Sequence, residues 1–177
     1  IVGITGGSAS GKSSFAGNLK SLFSDEEMTV LCEDHYYLPK DKVPVDSNGI
    51  QNFDTPEAID YLSYIDHVRN LKSGIAVQKE EYTFHKPGVI PKLLTYNPAP
   101  IILLEGIFAL HFKEVNDLVD LKLYIDADET VRLNRRIKRD QEERGLDRSD
   151  AEYRWKNHIA PGFAESHAMY KATADII

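Results

Sequence analysis

The sequence GGSASGKSS, residues 6–14, comes directly after the short apolar run IVGIT at the start of the chain. Gly6, Gly11, Lys12 and Ser13 occupy the fixed positions of the pattern G-x-x-x-x-G-K-[ST], which connects a strand to a helix. A helix-compatible segment, SSFAGNLKSLF, begins within the pattern. Because glycines let successive backbone N–H groups point into one concavity at a helix N-terminus, this stretch predicts a strand, a phosphate-binding loop and a helix in that order.

We call residues 6–14 the phosphate loop, and different residues of this loop are predicted to contact different parts of a bound nucleotide. Lys12 would reach the outer phosphates and the Ser13 hydroxyl would bind Mg²⁺, so the loop predicts ATP with Mg²⁺ as its ligands. A glycine-rich turn with an incidental lysine is the alternative, and the complete pattern in its strand-loop-helix context disfavours it. The predicted nucleotide-binding residues of the loop are Gly6, Gly7, Ser8, Ala9, Ser10, Gly11, Lys12, Ser13 and Ser14.

Composition restricts the class of protein. The chain has 177 residues, of which 42% are hydrophobic and 28% charged, as is typical of a soluble globular domain. Its formal net charge of -7 argues against a nucleic-acid-binding protein, which needs an excess of Lys and Arg. Cys32 is the only cysteine and can form no internal disulfide, and no apolar stretch approaches the roughly 20 residues that span a bilayer. With no signal-peptide pattern, we expect a cytoplasmic protein without a membrane partner, and a homo-oligomer is left open.

Short apolar runs recur along the chain, with helical segments between them. They cover residues 1–5, 28–32, 100–105 and 121–126, and the terminal ADII at 174–177. Near-continuous apolar runs of this length are typical of strands buried on both faces. Their alternation with helices predicts an α/β fold, a P-loop NTPase-type parallel sheet with helices on both faces, and one domain over residues 1–177.

Two regions are predicted between the second and third of these strands. Thr55 as N-cap and Pro56 at the first helical position predict a helix that runs to about Leu71. The stretches VQKEEYTF and VIPKLLTY, on either side of HKPG, predict a β-hairpin that projects from the sheet as an insertion over residues 75–100.

The C-terminal third is predicted to be mostly helical from Asp128 onward. Breaks are expected near Gly145 and near residues 161–162, where Pro and Gly interrupt the helical pattern. Residues 128–148 are predicted to form an arginine-rich helical lid.

Three carboxylates follow directly on predicted strands, namely Asp34, Glu105 and Asp126. Ligands of open α/β sheets lie outside the carboxyl ends of the strands, so these residues are candidates for chemistry. A kinase needs one carboxylate that accepts the proton of the attacking hydroxyl and another that holds Mg²⁺, and we assign Asp34 to the first task and Glu105 to the second. For Asp126, a cap at the start of the following helix is the favoured interpretation.

The segment VRLNRRIKRDQEERG supplies cationic side chains. Arg132, Arg136 and Arg139 are spaced four and three residues apart and therefore share one helix face, with Arg135 beside them. The favoured interpretation is a lid whose arginines close on the transferred phosphoryl group. The alternative is a solvated surface on which the arginines pair with Asp140, Glu142 and Glu143.

Several further stretches fit one known family in order along the chain. They are EDHYY (33–37), NFDTPEAID (52–60), EYTFHKP (81–87), IILLEGIFAL (101–110), DADETVRLNRRIKRDQEERG (126–145) and ADII (174–177). Together with the phosphate loop, the set resembles the uridine kinase (uridine-cytidine kinase) family, which is related to phosphoribulokinase among the P-loop kinases. The resemblance implies ATP-dependent phosphorylation of the 5′-hydroxyl of uridine or cytidine in pyrimidine salvage.

The resemblance also implies a role for each matching residue. Lys12 and Arg139 would act with Asp34 in catalysis, and Arg139 and Arg144 would contact the ATP phosphates. Asp34 would be the base for the 5′-hydroxyl beside Tyr37. The remaining acceptor contacts would be Asp54 to the ribose, Tyr82 and His85 to the base, and Arg136.

The chain departs from the family pattern at three places, all on the side that recognises the base. His85 follows Tyr82 after a shorter interval than the family has, Leu146 replaces an arginine, and Arg154 replaces a glutamine. Arginine is a planar donor suited to carbonyl and phosphate oxygens, so Arg154 is a candidate acceptor contact. A solvated position for Arg154 is an equal alternative.

Two other function classes are weighed against a nucleoside kinase. One is a sibling kinase for another hydroxylated metabolite, such as a phosphorylated sugar, and the other is a regulator that binds nucleotide without transferring phosphate. A switch GTPase is less favoured, because the guanine-binding run N-K-x-D does not occur.

Overall fold

The computed structural model describes residues 1–84 and 88–177, so the predicted contact of His85 with the base lies outside the described residues. The strands are β1 (Val2–Thr5), β2 (Met28–Cys32), β3 (Val77–Glu80), β4 (Leu93–Tyr96), β5 (Ile101–Glu105) and β6 (Leu121–Tyr124). The helices are α1 (Lys12–Lys20), α2 (Tyr61–Lys72), α3 (Lys113–Asn116), α4 (Glu129–Arg144), α5 (Arg148–Arg154) and α6 (Ala160–Thr173).

The centre of the described chain is a four-stranded sheet in the order β2-β5-β1-β6, with every neighbouring pair parallel. Ile4, Leu31, Leu103 and Leu104 are fully buried, because helices cover both faces of these strands. The predicted α/β fold is therefore confirmed. Since all four strands run the same way, their carboxyl ends meet at one edge, where β1 continues into the phosphate loop.

The helix predicted to start at Thr55 begins later, and that prediction was wrong. Pro56–Ala58 forms a single 3₁₀ turn, and α2 begins after Asp60, whose carboxylate accepts a hydrogen bond from the backbone N–H of Ser63 at 3.3 Å. Between them Ile59 is extended and forms an antiparallel bridge with Tyr37. This pairing with a distant segment interrupts the helix.

Two C-terminal predictions also need correction, while the break near Gly145 is confirmed. Gly145 ends α4 in the left-handed region, at φ +66°. No break occurs at residues 161–162, because α6 runs through them, and the irregularity is a π-helical turn at Trp155–Ile159 immediately before α6. The terminal ADII contributes a single parallel bridge, between Ile176 and Leu123, rather than a strand.

The hairpin region contains two antiparallel strands, with Val77 opposite Tyr96 and Glu80 opposite Leu93. Val77 and Tyr96 are buried in the same apolar cluster as Leu31 of β2, so the base of the hairpin is packed against the sheet. No helix within residues 1–84 and 88–177 has the length and apolar character needed to cross a bilayer.

Helix α6 is attached to the sheet through His167. This side chain is buried, its ring stacks on Phe163 with centroids 4.5 Å apart, and its Nδ1 lies 3.4 Å from the hydroxyl of Tyr124 on β6. Burial, together with the nearby cations Lys12 and Arg132, lowers the pKa of His167 from 6.5 to about 4.

We predict that His167 alone lowers the free energy of unfolding by about 2 kcal/mol between pH 7 and pH 5. The unfolded chain binds a proton on this imidazole below pH 6.5, whereas the folded protein does so only below about pH 4. Stability from this group is therefore complete above pH 6.5 and is lost as the pH falls. Urea unfolding of the parent and of His167→Gln at both pH values measures the difference. An equal pH dependence in the two proteins would contradict the assignment.

Candidate active site

The backbone of the phosphate loop turns tightly between β1 and α1. Gly6, Ala9 and Gly11 have φ of +156°, +62° and +106°, which turns the chain sharply between β1 and α1. A Cβ on Gly6 would lie 2.4 Å from the carbonyl oxygen of Ile125, and only glycine fits there. The loop predicted from the sequence is thus a narrow turn at the N-terminus of α1.

The two predicted Mg²⁺ ligands lie side by side. The Ser13 hydroxyl donates a hydrogen bond of 3.0 Å to Oε1 of Glu105, and the thiol of Cys32 lies 3.4 Å from Oε2. Burial raises the pKa of Glu105, and the ammonium of Lys12 opposes that shift. A buried carboxylate and a hydroxyl next to the phosphate loop are the oxygen ligands that Mg²⁺ accepts together with phosphate oxygens, so these residues fit the ion.

Asp34 lies in a 3₁₀ turn, Glu33–Tyr36, that follows β2 directly. The turn is held by Glu33, which is buried and accepts a hydrogen bond of 2.8 Å from the backbone N–H of Phe108 through Oε2. Burial raises the pKa of Glu33 well above its usual range. A Cβ on Gly106 would lie 2.2 Å from the Glu33 carboxyl, so the segment after β5 and the turn that carries Asp34 pack in direct contact.

Glu33 is a site residue that the sequence did not single out. In the sequence, Glu33 and Asp34 are two adjacent acidic residues with nothing to distinguish them. Only the fold shows that Glu33 is buried and that Asp34 lines a pocket.

One pocket joins the phosphate loop to the remaining predicted residues. The residues that line it include Ser8, Lys12 and Ser13 of the phosphate loop, Arg139 of α4, and Asp34. The predicted acceptor residues that line it are Tyr37, Asp54, Tyr82, Arg136 and Arg154.

Aromatic rings form one wall of this pocket. The ring of Tyr37 lies 5.5 Å from the rings of Phe53 and Tyr82 and 5.9 Å from that of Phe84, measured between centroids. Tyr82 is held in place by a hydrogen bond of 3.1 Å from its backbone N–H to Nδ1 of His35. Phe53 and Phe84 were not predicted as site residues, although each stands next to a predicted one in the sequence.

Helix α4 is bound to the phosphate loop by buried charges. Nη1 of Arg136 donates to the Ser8 hydroxyl at 2.6 Å, and the same guanidinium lies 3.3 and 3.4 Å from the two oxygens of Asp54. On its other side Nε of Arg136 donates to Asp140 at 2.6 Å. Burial lowers the pKa of Arg136, but the carboxylates of Asp54 and Asp140 outweigh burial and raise it.

Asp140 contradicts the alternative of a solvated arginine surface. It is fully buried and faces three guanidinium groups, with Arg144 at 3.3 Å and Arg139 at 3.8 Å in addition to Arg136. Of the acids considered in that alternative, Glu142 pairs with Lys138 on the exposed side of the helix.

The arginines of α4 reach different places. Arg132 is buried away from the pocket, with its Cζ 3.8 Å from the centroid of the Phe163 ring. Arg135 lies at the outer mouth of the phosphate loop, where Nη1 is 3.4 Å from the carbonyl oxygen of Ser10. Arg144, which the resemblance predicts to contact the ATP phosphates, has its Cζ 4.6 Å from the centroid of the Phe84 ring and lines the pocket.

The structure shows where Arg154 and Asp126 lie, for each of which the sequence allowed two interpretations. Nη1 of Arg154 donates a hydrogen bond of 2.9 Å to the carbonyl oxygen of Gln51, and its side chain lines the pocket together with Leu146. Asp126 is not the cap of α4, because Asp128 has that position and accepts from the N–H of Thr130 at 2.8 Å. Asp126 pairs with a lysine of α6 outside the pocket.

Comparisons with known proteins show the family and the fold of the chain. The model of the phosphoribulokinase/uridine kinase family matches residues 1–177. A uridine kinase of Brevibacillus brevis is 32% identical over 177 residues, which are 100% of this chain and 83% of that protein. Uridine-cytidine kinase B of Dictyostelium discoideum is 29% identical over 100% of this chain and 73% of its own length. The structure of phosphoribulokinase from Rhodobacter spheroides has a TM-score of 0.62 at 18% identity, covers 93% of this chain and 66% of that chain, and thus shares the fold.

We predict that Asp140→Asn lowers the free energy of unfolding by about 3 to 5 kcal/mol. The amide keeps the shape of the side chain but leaves three neighbouring guanidinium groups with one buried negative charge fewer. The control is Glu142→Gln, which removes an exposed charge from the same helix and should change stability by less than about 0.5 kcal/mol. Urea unfolding at neutral pH compares the two, and equal stabilities would show that the buried cluster is not required.

Proposed function

The chain belongs to the phosphoribulokinase/uridine kinase family, and on this premise we propose that it transfers a phosphoryl group from ATP to the 5′-hydroxyl of a nucleoside. Uridine and cytidine are the first candidates, because the relatives reported above are named uridine kinase and uridine-cytidine kinase. The product would be the nucleoside 5′-monophosphate of pyrimidine salvage.

A single observation carries the proposal: one pocket brings Lys12 and Ser13 of the phosphate loop together with Asp34 and an aromatic wall. Phosphoryl transfer needs the donor phosphate and the acceptor hydroxyl in one water-poor space, in line with each other. A protein that only bound nucleotide would need the phosphate loop but not this adjoining acceptor space.

We assign the reaction to three side chains. The carboxylate of Asp34 accepts the proton of the 5′-hydroxyl, which makes the oxygen a better nucleophile. Lys12 and Arg139 place positive charge where negative charge spreads over the transferred group, and Arg139 already approaches the loop, with Nη2 3.4 Å from the Ser8 hydroxyl. Mg²⁺, when bound, would neutralise phosphate charge, and Ser13 and Glu105 would hold it.

The acceptor would lie between Asp54 and the aromatic wall. Asp54 is held by Arg136, and its carboxylate oxygens are acceptors suited to the vicinal hydroxyls of a ribose. The rings of Tyr37 and Tyr82 offer an apolar surface to a planar base. Arg136 thus acts on the acceptor side by fixing the carboxylate.

Two alternative functions, a sibling kinase and a non-catalytic regulator, are distinguished from a nucleoside kinase by which substrates are phosphorylated. A sibling kinase would phosphorylate another hydroxylated metabolite and leave nucleosides unchanged. A regulator would bind ATP and phosphorylate nothing in the panel. A coupled assay of ADP formation with each common nucleoside, beside titration of ATP alone, separates the three.

We predict that Asp34→Asn lowers turnover of the best nucleoside by roughly 100- to 10,000-fold, as is usual for loss of a general base. ATP affinity should change little, because the assigned role of Asp34 concerns the hydroxyl and not the phosphates. Turnover is measured by the coupled assay and ATP affinity by calorimetry.

The matched control is Asp41→Asn, which removes the same charge from an exposed position of the following loop. This variant should behave as the parent. If Asp34→Asn and Asp41→Asn have the same turnover, Asp34 is not the base.

A further inference from the structure

Besides the residues of the phosphate loop and Arg136 and Arg139, cationic side chains from three segments line the pocket. Lys40, Arg144 and Arg154 all line it. They come from three separate parts of the chain, the loop after the first 3₁₀ turn, the end of α4 and the end of α5. In a protein with a net charge of -7, this local excess of positive charge calls for an explanation.

The acids of the pocket do not neutralise these cations. Asp34 and Asp54 are the carboxylates that line it among the described residues, and Asp54 is already paired with Arg136. Arg144 has a partner in Asp140, 3.3 Å away. Within residues 1–84 and 88–177, Lys40 and Arg154 form no ion pair.

Arg154 retains hydrogen-bond donors that the described residues do not use. One Nη1 bond goes to the carbonyl oxygen of Gln51, which orients the guanidinium, while Nε is buried and has no partner within the described part of the chain. A guanidinium that is held by a backbone carbonyl and retains free donors is preorganised for an anion, since its planar fork matches a carboxylate or phosphate.

We propose that the acceptor carries an anionic group at the end remote from its reacting hydroxyl, and that Arg154, assisted by Lys40, binds this group. The inference rests on the proposed function and narrows its substrate class to a nucleoside with a carboxylate on the pyrimidine ring. The aromatic wall favours a ring-bearing acceptor, because Tyr37, Phe53 and Phe84 all line the pocket and aromatic side chains pack well against planar rings. Leu146 adds apolar surface to the lining of the same pocket.

The test compares acceptors that differ only in charge. The kcat/KM values of 5-carboxyuridine and 6-carboxyuridine are measured against those of their neutral carboxamides, with uridine and a pentulose 5-phosphate in the same series. We expect one carboxylate to exceed its own carboxamide at least tenfold. Carboxylates no better than their carboxamides would overturn the proposal.

Three variants assign the effect to residues. Arg154→Gln should lower kcat/KM for the preferred carboxylate by roughly 10- to 100-fold, the range expected for a charged hydrogen bond, and should lower that for uridine by a smaller factor. Lys40→Gln, at an exposed position, should lower the same preference by a smaller factor and tests the proposal even if Arg154→Gln folds poorly. Arg148→Gln removes an equal charge from the exposed side of α5, where Arg148 pairs with Glu152, and should preserve the preference. Equal effects of Arg154→Gln and Arg148→Gln would overturn the assignment.

The outcomes separate this inference from the proposed function. Turnover of uridine with no carboxylate preference would overturn the inference and leave the nucleoside kinase in place. Turnover of the pentulose phosphate alone would overturn the nucleoside kinase and, with it, the proposed carboxylate on the pyrimidine ring. Turnover of none of these acceptors would overturn both.

Discussion

The arrangement of the site depends on the contacts of the buried Arg136 guanidinium with two carboxylates. The guanidinium lies between Asp54 and Asp140 and also donates to the Ser8 hydroxyl of the phosphate loop. A buried charge that loses a partner destabilises a protein by several kcal/mol, so α4, the loop that carries Asp54 and the phosphate loop pack in the arrangement that satisfies this group. The same packing makes α4 one wall of the pocket.

The order of the strands explains why the candidate site residues lie at one edge of the sheet. β5 lies between β2 and β1, and all three run in the same direction. The carboxyl end of β5, Glu105, therefore lies between the phosphate loop that follows β1 and the turn with Asp34 that follows β2. Segments far apart in the chain thus bring the phosphate loop, Glu105 and the turn that carries Asp34 to the same edge of the sheet.

The pocket differs in character from one end to the other, and this difference determines what it can distinguish. Near the loop the pocket is lined by the cations Lys12 and Arg139, whose proposed contacts with phosphate would be the same for any acceptor. At the other end, the aromatic wall around Tyr37 and the cation Arg154 are specific in shape and charge. Under the proposed function, phosphoryl transfer and acceptor choice would depend on different elements, so acceptor choice would be able to change without a change in the residues that transfer phosphate.

The sequence by itself determined the phosphate loop, the four sheet strands and the end of α4 at Gly145, because each depends on local geometry or on a repeating apolar pattern. It also indicated which strand-end carboxylates would meet, since parallel strands end at one edge. Only the tertiary structure decided where α2 begins and which way Arg154 points. The first follows from the bridge between Ile59 and Tyr37, and the second from the carbonyl of Gln51. Both features depend on hydrogen bonds to residues that are distant in the sequence. Such bonds can shift the start of a helix or reorient a side chain, and a local sequence pattern does not predict them.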